Sequence, residues 1–349
     1  MHNFLPSRRR FLTTTALAGA GIVCAWALPA PVLAHALTRN TNTAAPVSET
    51  RVMLGTFVSI SLAQCGSAQA QEGLAQAFAK IHELEGVFSR YDKASPLSVL
   101  NAQGSLHDSP PELSALVARA QSVARLTDKA FDPTVKPVVD LFKAHQNPQG
   151  QMRLDPADLD AARQLVGFAR VRLDKHRIAF ERSHMGITLD GIAKGHIIDR
   201  VSALLVQLGL PNHLINAGGD IIAWGEKSLG QPWTVAVENP LYKKNHGTAY
   251  PEVLNLRHGA LATSGSYEIF YDASREHHHI IHPASGTSPS RVSSVSVLAP
   301  TATEADALAT ALSVMPPHDA LRLVDTLPRR ECCILGPHGL RMTSRGWKG

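Results

Sequence analysis

The chain has 349 residues, of which 44% are hydrophobic and 18% are charged. This is the composition of a globular protein, and it excludes a disordered or fibrous chain. The formal net charge is only +5, and the arginine run at residues 8–10 supplies three of those charges. The remainder is too weakly basic to predict a nucleic-acid-binding protein. The four cysteines show no CxxC or Cys/His spacing, so the sequence gives no indication of a zinc site.

The N-terminal segment has the pattern of an export signal. The arginine run is followed by an apolar, alanine-rich stretch at residues 16–33 and by the small-residue pattern Ala34-His35-Ala36. Paired arginines before Phe11 resemble a twin-arginine signal. A membrane anchor is the alternative, but glycines and prolines interrupt the apolar stretch. We predict a periplasmic protein with a signal peptide at residues 1–36, a linker at 37–49 and a folded domain at 50–349.

Apolar periodicity predicts helices and strands in a mixed order. Helices are predicted at residues 69–88, from 110 onward, 158–166, 193–208, 303–315 and 318–326. Strands are predicted at residues 52–62, 171–173, 177–180, 187–189, 214–216, 221–224, 234–237, 253–256, 268–271, 279–281 and 292–298, and around 334 and 340. No strict strand–helix alternation appears. We therefore predict a mixed α/β fold of the α+β type, in which largely antiparallel sheets and packed helices form a single catalytic unit.

A pair of oxygen-bearing side chains stands out near the C-terminus. Asp306 and Thr310 lie four residues apart in a predicted helix, so they share one face. A carboxylate and a hydroxyl are ligands that Mg²⁺ accepts, together with substrate phosphates. Thr303 with Asp306 also resembles a helix cap. The alternative is a solvated aspartate beside a threonine that bonds to the carbonyl one turn earlier.

Two glycine turns are further candidates for a site. At residues 187–199 a predicted strand ends in Gly191, and Lys194 follows at the start of a helix. Backbone N–H groups and a lysine in this arrangement suit a phosphate, although an ordinary strand-to-helix turn is the alternative. Gly218 and Gly219 follow another apolar strand and allow close approach of a ligand, although a hairpin turn explains them nearly as well.

The four histidines at positions 277, 278, 279 and 282 suggest a transition-metal site. In an extended strand, however, His277 and His279 face one side and His278 the other. One histidine acting as a polar or catalytic group is the better interpretation.

These segments together resemble the ApbE family, the FAD:protein FMN transferases. The resemblance runs in order from about residue 54 to residue 335. Its motifs are Leu54-Gly-Thr56, Phe88-Ser-Arg-Tyr91, Ser98-Val-Leu-Asn101, Phe131-Asp132-Pro-Thr134, the glycine turn at 187–199, Leu214 to Asp220, Ala262-Thr263-Ser264-Gly265, His279-Ile-Ile and Thr301 to Thr310.

The resemblance implies a function and a set of site residues. FAD would be the substrate, and FMN would pass to a Thr or Ser hydroxyl of a flavin-carrying subunit of a periplasmic or membrane redox complex, with release of AMP. Mg²⁺ would be bound by Asp306, Thr310 and the carbonyl of Gly191. The flavin and its phosphates would contact Leu54, Tyr91, Phe131, Asp132, Thr134, Thr188, Lys194 and His279. His279, Lys194 and Asp190 are the catalytic candidates.

The sequence departs from the family pattern at four positions. Leu54 replaces a methionine, Thr188 replaces an aspartate while Asp190 follows two residues later, and Ser266 and His282 each stand where the family has an aspartate. These departures leave two alternatives open. One is a periplasmic protein that holds FAD for a respiratory complex without transferring FMN, and the other is an Mg²⁺-dependent FAD hydrolase that uses water as the nucleophile.

Overall fold

The computed structural model of the protein describes residues 45–238, 252–267, 269–290 and 292–348. Its strands are β1 (Val47–Met53), β2 (Thr56–Leu62), β3 (Ser105–His107), β4 (Val171–Asp174), β5 (Arg177–Phe180), β6 (His213–Ala217), β7 (Asp220–Trp224), β8 (Trp233–Val237), β9 (Glu252–Leu256), β10 (His258–Gly265), β11 (Ser294–Ala299), β12 (Glu331–Leu335) and β13 (Arg341–Thr343). Its helices are α1 (Ser67–Phe88), α2 (Pro96–Gln103), α3 (Pro111–Leu126), α4 (Lys136–Ala144), α5 (Pro156–Gln164), α6 (Ala193–Gln207), α7 (Ala302–Val314) and α8 (Pro317–Asp325).

An eight-stranded sheet forms the centre of the domain. Its order is β1-β2-β6-β7-β10-β11-β12-β13, and each neighbouring pair is antiparallel. Helices α6 and α7 pack on one face, where the large hydrophobic core lies. The hairpin of β8 and β9 belongs to a second, smaller core that includes Leu261 and Leu335. The predicted α+β fold with antiparallel sheets is confirmed.

Helix α7 is buried on nearly all sides, because its small residues let neighbours approach closely. The Thr301 side chain caps its N-terminus by accepting the N–H of Glu304, so Thr303 is not the cap that the sequence predicted. Instead the carboxylate of Asp199, on α6, accepts the N–H groups of Ala302 and Thr303 at 2.8 Å each. These two hydrogen bonds fix the start of α7 against α6.

Several predicted elements differ from the structure. The strand predicted at residues 52–62 is a hairpin, in which β1 and β2 turn at Leu54-Gly55. Residues 187–189 form no strand, because the side chain of Asn101 takes both the N–H and the carbonyl of Ile187, at 2.8 and 2.9 Å. Of the strands predicted at 268–271 and 279–281, only an isolated bridge between Phe270 and His278 forms among the described residues.

The domain boundaries also differ in detail from the prediction. Strand β1 begins at Val47, inside the predicted linker. The predicted signal peptide and residues 37–44 lie outside the described residues. In the part of the chain that the structure describes, no helix combines the length and the hydropathy that a bilayer span requires.

Candidate active site

One end of the large sheet collects the turns that the motifs contain. The turn after β1 has Leu54 and Gly55 at φ 55° and 70°, and the turn after β6 has Gly218 at 66°. Because β2 and β6 are antiparallel, these turns are neighbours: the N–H of Gly218 donates to the carbonyl of Phe57 at 3.1 Å. A Cβ built on Gly218 would lie 2.4 Å from Oγ1 of Thr56, so only glycine fits there.

Leu54 is held in this turn in an unusual way. A left-handed conformation costs a residue with a Cβ about 1–2 kcal/mol. The Leu54 N–H donates to the carboxylate of Glu85, on α1, at 3.0 Å, and this bond supports the turn. The half-buried Leu54 side chain is therefore fixed close to the C-terminal end of α1.

The first turn of α6 and the middle of α7 meet in a tight corner. A Cβ built on Gly191 would lie 2.7 Å from Oγ1 of Thr310. One built on Gly195 would lie 2.2 Å from the carbonyl oxygen of Ala302 and 2.9 Å from Cβ of Asp306. Glycine at both positions therefore brings the backbone of the glycine turn against Asp306 and Thr310. We call these four residues, Gly191, Gly195, Asp306 and Thr310, the glycine corner.

Asp306 is a buried carboxylate in the glycine corner. Its side chain is 4% exposed, and its Oδ2 accepts the N–H of Gly195 at 3.0 Å. Burial, followed by repulsion from Asp220, raises the pKa of Asp306 to about 8. Asp220 forms an ion pair with Lys194, which is one third exposed. A second acidic group, Asp220, and one lysine, Lys194, therefore act on Asp306 from beside the glycine corner.

The donor atoms of the glycine corner fit a hard divalent cation. They are the buried Asp306 carboxylate and the Thr310 hydroxyl, which lies 3.3 Å from Oγ of Ser264, and the backbone of Gly191 packs against that hydroxyl. Mg²⁺ prefers such oxygen ligands. A cation at this position would also favour the ionised form of Asp306, which burial disfavours. The predicted magnesium ligands are thus brought together.

The end of α1 supplies an aromatic and cationic group. The Tyr91 ring is 77% exposed, and the guanidinium carbon of Arg90 and Nζ of Lys143 each lie 5.0 Å from its centroid. Nη2 of Arg90 contacts Oδ2 of Asp190 at 2.7 Å and donates to the Tyr91 hydroxyl at 3.1 Å. This network connects Tyr91 to the residue that precedes Gly191.

His279 lies in the loop between β10 and β11. Its Nδ1 is 3.5 Å from the carbonyl oxygen of Ile269, and burial lowers its pKa. The charges of Asp190 and Lys194 also act on its ring. The lowered pKa favours the neutral imidazole, and with Nδ1–H directed at the Ile269 carbonyl the lone pair lies on Nε2.

The neighbouring histidines have structural partners. His278 is buried and its Nε2 donates to the carbonyl of Pro289 at 2.8 Å. Nδ1 of His277 contacts Oδ2 of Asp272 at 2.6 Å. With Glu276 these last two form a cluster of possible metal ligands, whose ligand atoms all lie within 4.8 Å of one another. The preference for a single functional histidine is consistent with this arrangement.

Comparisons with known proteins decide the family. The sequence model of the ApbE family matches residues 54–334. The chain belongs to the ApbE family. It is 31% identical to the FAD:protein FMN transferase of Haemophilus influenzae over 255 residues, 70% of this chain and 73% of that protein. It is 28% identical to the FAD:protein FMN transferase of Escherichia coli K12 over 310 residues, 85% of this chain and 84% of that protein.

Solved ApbE structures have the same fold. The flavin transferase ApbE from Vibrio cholerae aligns with a TM-score of 0.76 at 25% identity, covering 87% of this chain and 98% of that one. The ApbE protein from Thermotoga maritima aligns with a TM-score of 0.77 at 28% identity, covering 86% of this chain and 97% of that one.

Three residues that the ApbE resemblance assigned to the flavin lie inside the protein. Phe131, Asp132 and Thr134 are 4%, 6% and 0% exposed. Asp132 accepts the N–H of Phe168 at 3.0 Å, and Thr134 accepts the N–H of Gly167 at 2.7 Å. The polar side chains of Asp132 and Thr134 thus hold the loop at Gly167 and Phe168.

The residues that depart from the ApbE pattern differ in their burial and in their hydrogen-bond partners. Thr188 is 8% exposed, and its Oγ1 accepts the N–H of Asp190 at 3.3 Å. The Asp190 side chain is 56% exposed and reaches Arg90. His282 closes a turn with its backbone, which donates to Thr287 and accepts from Gly286 at 2.8 Å each. The carboxylate of Asp190 is thus at the site, whereas His282 serves a turn.

Four residues of the site were missed as functional residues: Arg90, Asp220, Asn101 and Asp199. Each lies inside a motif that carries the ApbE resemblance, but no local pattern indicates which residue it contacts. Asp220 follows the Gly218-Gly219 turn directly, and that position was the signal that could have found it.

Proposed function

We propose that this protein is an exported FAD:protein FMN transferase that uses Mg²⁺ and esterifies a threonine or serine hydroxyl of a periplasmic redox protein. The transferase activity follows from membership of the ApbE family, in which similar proteins carry that name. The observation that supports the use of Mg²⁺ is the glycine corner, where glycine backbone lies against Asp306 and Thr310.

The residues that would hold the metal are Asp306, Thr310 and the carbonyl of Gly191. Mg²⁺, when bound there, supplies positive charge beside the diphosphate of FAD. Lys194 adds a second cation at the same turn, and its ion pair with Asp220 keeps it in position. The positive end of the α6 helix dipole also favours a negatively charged ligand.

The reaction exchanges one phosphorus–oxygen bond for another. The hydroxyl oxygen of the acceptor bonds to the FMN-side phosphorus of FAD. The bond between this phosphorus and the bridging oxygen breaks, and AMP leaves with that oxygen. The hydroxyl proton passes to a base, so atoms and charge balance. No oxidant or reductant is needed.

His279 is the better candidate for the base. Burial lowers its pKa, which favours the unprotonated imidazole that a general base requires. The carboxylate of Asp190 is already engaged by Arg90 at 2.7 Å. In this proposal Asp190 stabilises the imidazolium that forms on His279, since its charge acts on that ring.

The exposure of Tyr91 supports a role in holding the flavin. The ring is 77% exposed and lies beside the Arg90 guanidinium, so its face is accessible to a ligand. Aromatic stacking on the flavin would bury this ring and bring FAD close to Asp190 and the glycine corner. Leu54, fixed beside the end of α1 by Glu85, would form a second apolar wall.

Export rests on the N-terminal sequence. The arginine run at residues 8–10 before an apolar stretch supports the twin-arginine route into the periplasm. Replacing Arg8 and Arg9 by lysine should leave the protein in the cytoplasmic fraction. If the doubly substituted protein still reaches the periplasm in wild-type amounts, this part of the proposal fails.

The test of the function is flavinylation of an acceptor. The purified protein is incubated with FAD, Mg²⁺ and a periplasmic redox domain, and the acceptor peptides are analysed by mass spectrometry. The proposal predicts one FMN on a threonine or serine, with an equal amount of AMP, and no product when a chelator is added.

Other outcomes identify the two alternatives. AMP release without an acceptor would support the FAD hydrolase. Tight FAD binding, with neither AMP nor FMN transfer across several acceptors, would support the protein that only holds FAD.

A further inference from the structure

Arg90 contains a buried hydrogen-bond donor that the protein leaves unsatisfied. Its side chain is 10% exposed, and its Nη2 serves both Asp190 and the Tyr91 hydroxyl. Its Nε is buried, and over the residues that the structure describes it has no hydrogen-bond partner. Leaving such a donor unpaired costs about 1–3 kcal/mol. Buried donors in native proteins are nearly always paired, so this one requires an explanation.

The position of Arg90 indicates which ligand would pair with it. The guanidinium carbon lies 5.0 Å from the centroid of the exposed Tyr91 ring. Its Nη2 contacts both the Tyr91 hydroxyl and Asp190, the residue before Gly191 of the glycine corner. The unpaired donor thus belongs to a side chain that touches the proposed flavin platform and a residue next to the proposed metal site. FAD offers acceptor oxygens at both places, on the flavin ring and on its phosphates.

We propose that the Nε–H of Arg90 donates a hydrogen bond to an oxygen of bound FAD, while Nη2 keeps Asp190 and Tyr91 in position. This assignment rests on the proposed flavin transferase function and adds a substrate-binding residue to it. It also gives the Thr188 departure a physical account. The carboxylate of Asp190, two residues further on, is retained at the site because Arg90 holds it.

The Arg90→Lys substitution distinguishes hydrogen bonding to FAD by Nε–H from the ion pair with Asp190 alone. Arg90→Lys keeps the positive charge and the pairing with Asp190, but it has no Nε–H group at that place. A lost hydrogen bond from a charged group predicts FAD binding weaker by at least about tenfold. The matched control is Arg200→Lys, because Arg200 also pairs with a carboxylate, that of Glu112 at 2.8 Å, outside the glycine corner.

The dissociation constant of FAD is measured from the quenching of flavin fluorescence, and the melting temperature without ligand is measured alongside. We expect the tenfold loss for Arg90→Lys and none for Arg200→Lys. Equal FAD affinity for Arg90→Lys and the wild type overturns the proposal. Repeating the titration with riboflavin and with ADP finds the oxygen concerned: a loss with riboflavin identifies the flavin part, and a loss with ADP identifies the diphosphate.

A second measurement uses the wild-type protein, so it tests the proposal even when Arg90→Lys does not fold. The wild-type protein is labelled with ¹⁵N-arginine, and its Nε–H resonances are recorded with and without FAD. One exchange-protected resonance that shifts on addition of FAD supports the proposal, and an unchanged set contradicts it. FMN transfer by the wild type is assayed separately, so that failure of the proposed function is distinguished from failure of the Arg90 assignment.

Discussion

Replacing Gly195 by alanine should displace α7 from α6. The added Cβ would lie 2.2 Å from the carbonyl oxygen of Ala302, and ordinary contact begins at 3.4 Å. The obstructing atom belongs to the backbone of α7 and cannot rotate away, so the two helices must move apart by about 1 Å. Overpacking of this kind costs up to about 3 kcal/mol. The gain in helix propensity offsets at most about 1 kcal/mol, which leaves a net loss of about 2 kcal/mol.

Gly86→Ala is the matched control, since Gly86 is also helical and a Cβ there meets nothing within 4 Å. This variant should gain up to about 1 kcal/mol. Urea unfolding of both variants should therefore show midpoints on opposite sides of the wild type. FMN transfer by Gly195→Ala should fall by about 100-fold, because a 1 Å displacement of reacting groups has that effect.

The result that would refute this reasoning is a Gly195→Ala variant as stable and as active as Gly86→Ala. The tight contact between α6 and α7 would then not exist in solution, and the glycine corner would lose its geometric basis.

Three further predictions concern single side chains. Tyr91→Ala should weaken FAD binding in a fluorescence titration, and an unchanged dissociation constant removes Tyr91 from the flavin site. Asp199→Ala, which loses the bonds to the N–H groups of Ala302 and Thr303, should lower the free energy of unfolding in urea by about 1–3 kcal/mol; wild-type stability would contradict this. His213 is fully buried, and burial lowers its pKa from 6.5 to about 4. Between these values only the unfolded chain binds the proton, so about 3 kcal/mol of stability is lost as the pH falls from 7 to 4. The free energy of unfolding of His213→Gln should therefore fall by about 3 kcal/mol less than that of the wild type between pH 7 and pH 4. Equal losses in the two proteins would refute this prediction.

Much of the fold could be predicted because strong local patterns agree with the final packing. Helices α1, α6 and α7 have apolar or small residues at buried positions. The hairpin at Leu54 was missed because the residues on both sides of Gly55 have the composition of a strand, and the left-handed leucine there is held by Glu85, 31 residues away. The apolar segment at residues 187–189 has the composition of a strand, but the side chain of Asn101 takes its backbone groups.

The candidate site could be predicted where neighbours in sequence are neighbours in space. Asp306 and Thr310 share a helix face, so their spacing was informative. Arg90 and Asp190 are a hundred residues apart, and no local pattern indicates that they pair. Phe131, Asp132 and Thr134 are assigned to the flavin by resemblance alone, and their burial is a property of the packed domain that no local pattern indicates.

The central claim is that the glycine corner performs FMN transfer, and the rate of transfer by Asp306→Asn tests it most directly. The substitution keeps the size of the side chain and removes the one charged ligand proposed for Mg²⁺. Asp319→Asn, at an exposed position of α8, is the control. We predict at least about a 100-fold loss for Asp306→Asn, as expected for several kcal/mol of lost charge stabilisation, and no loss for Asp319→Asn. Transfer at the wild-type rate by a folded Asp306→Asn variant would contradict the account.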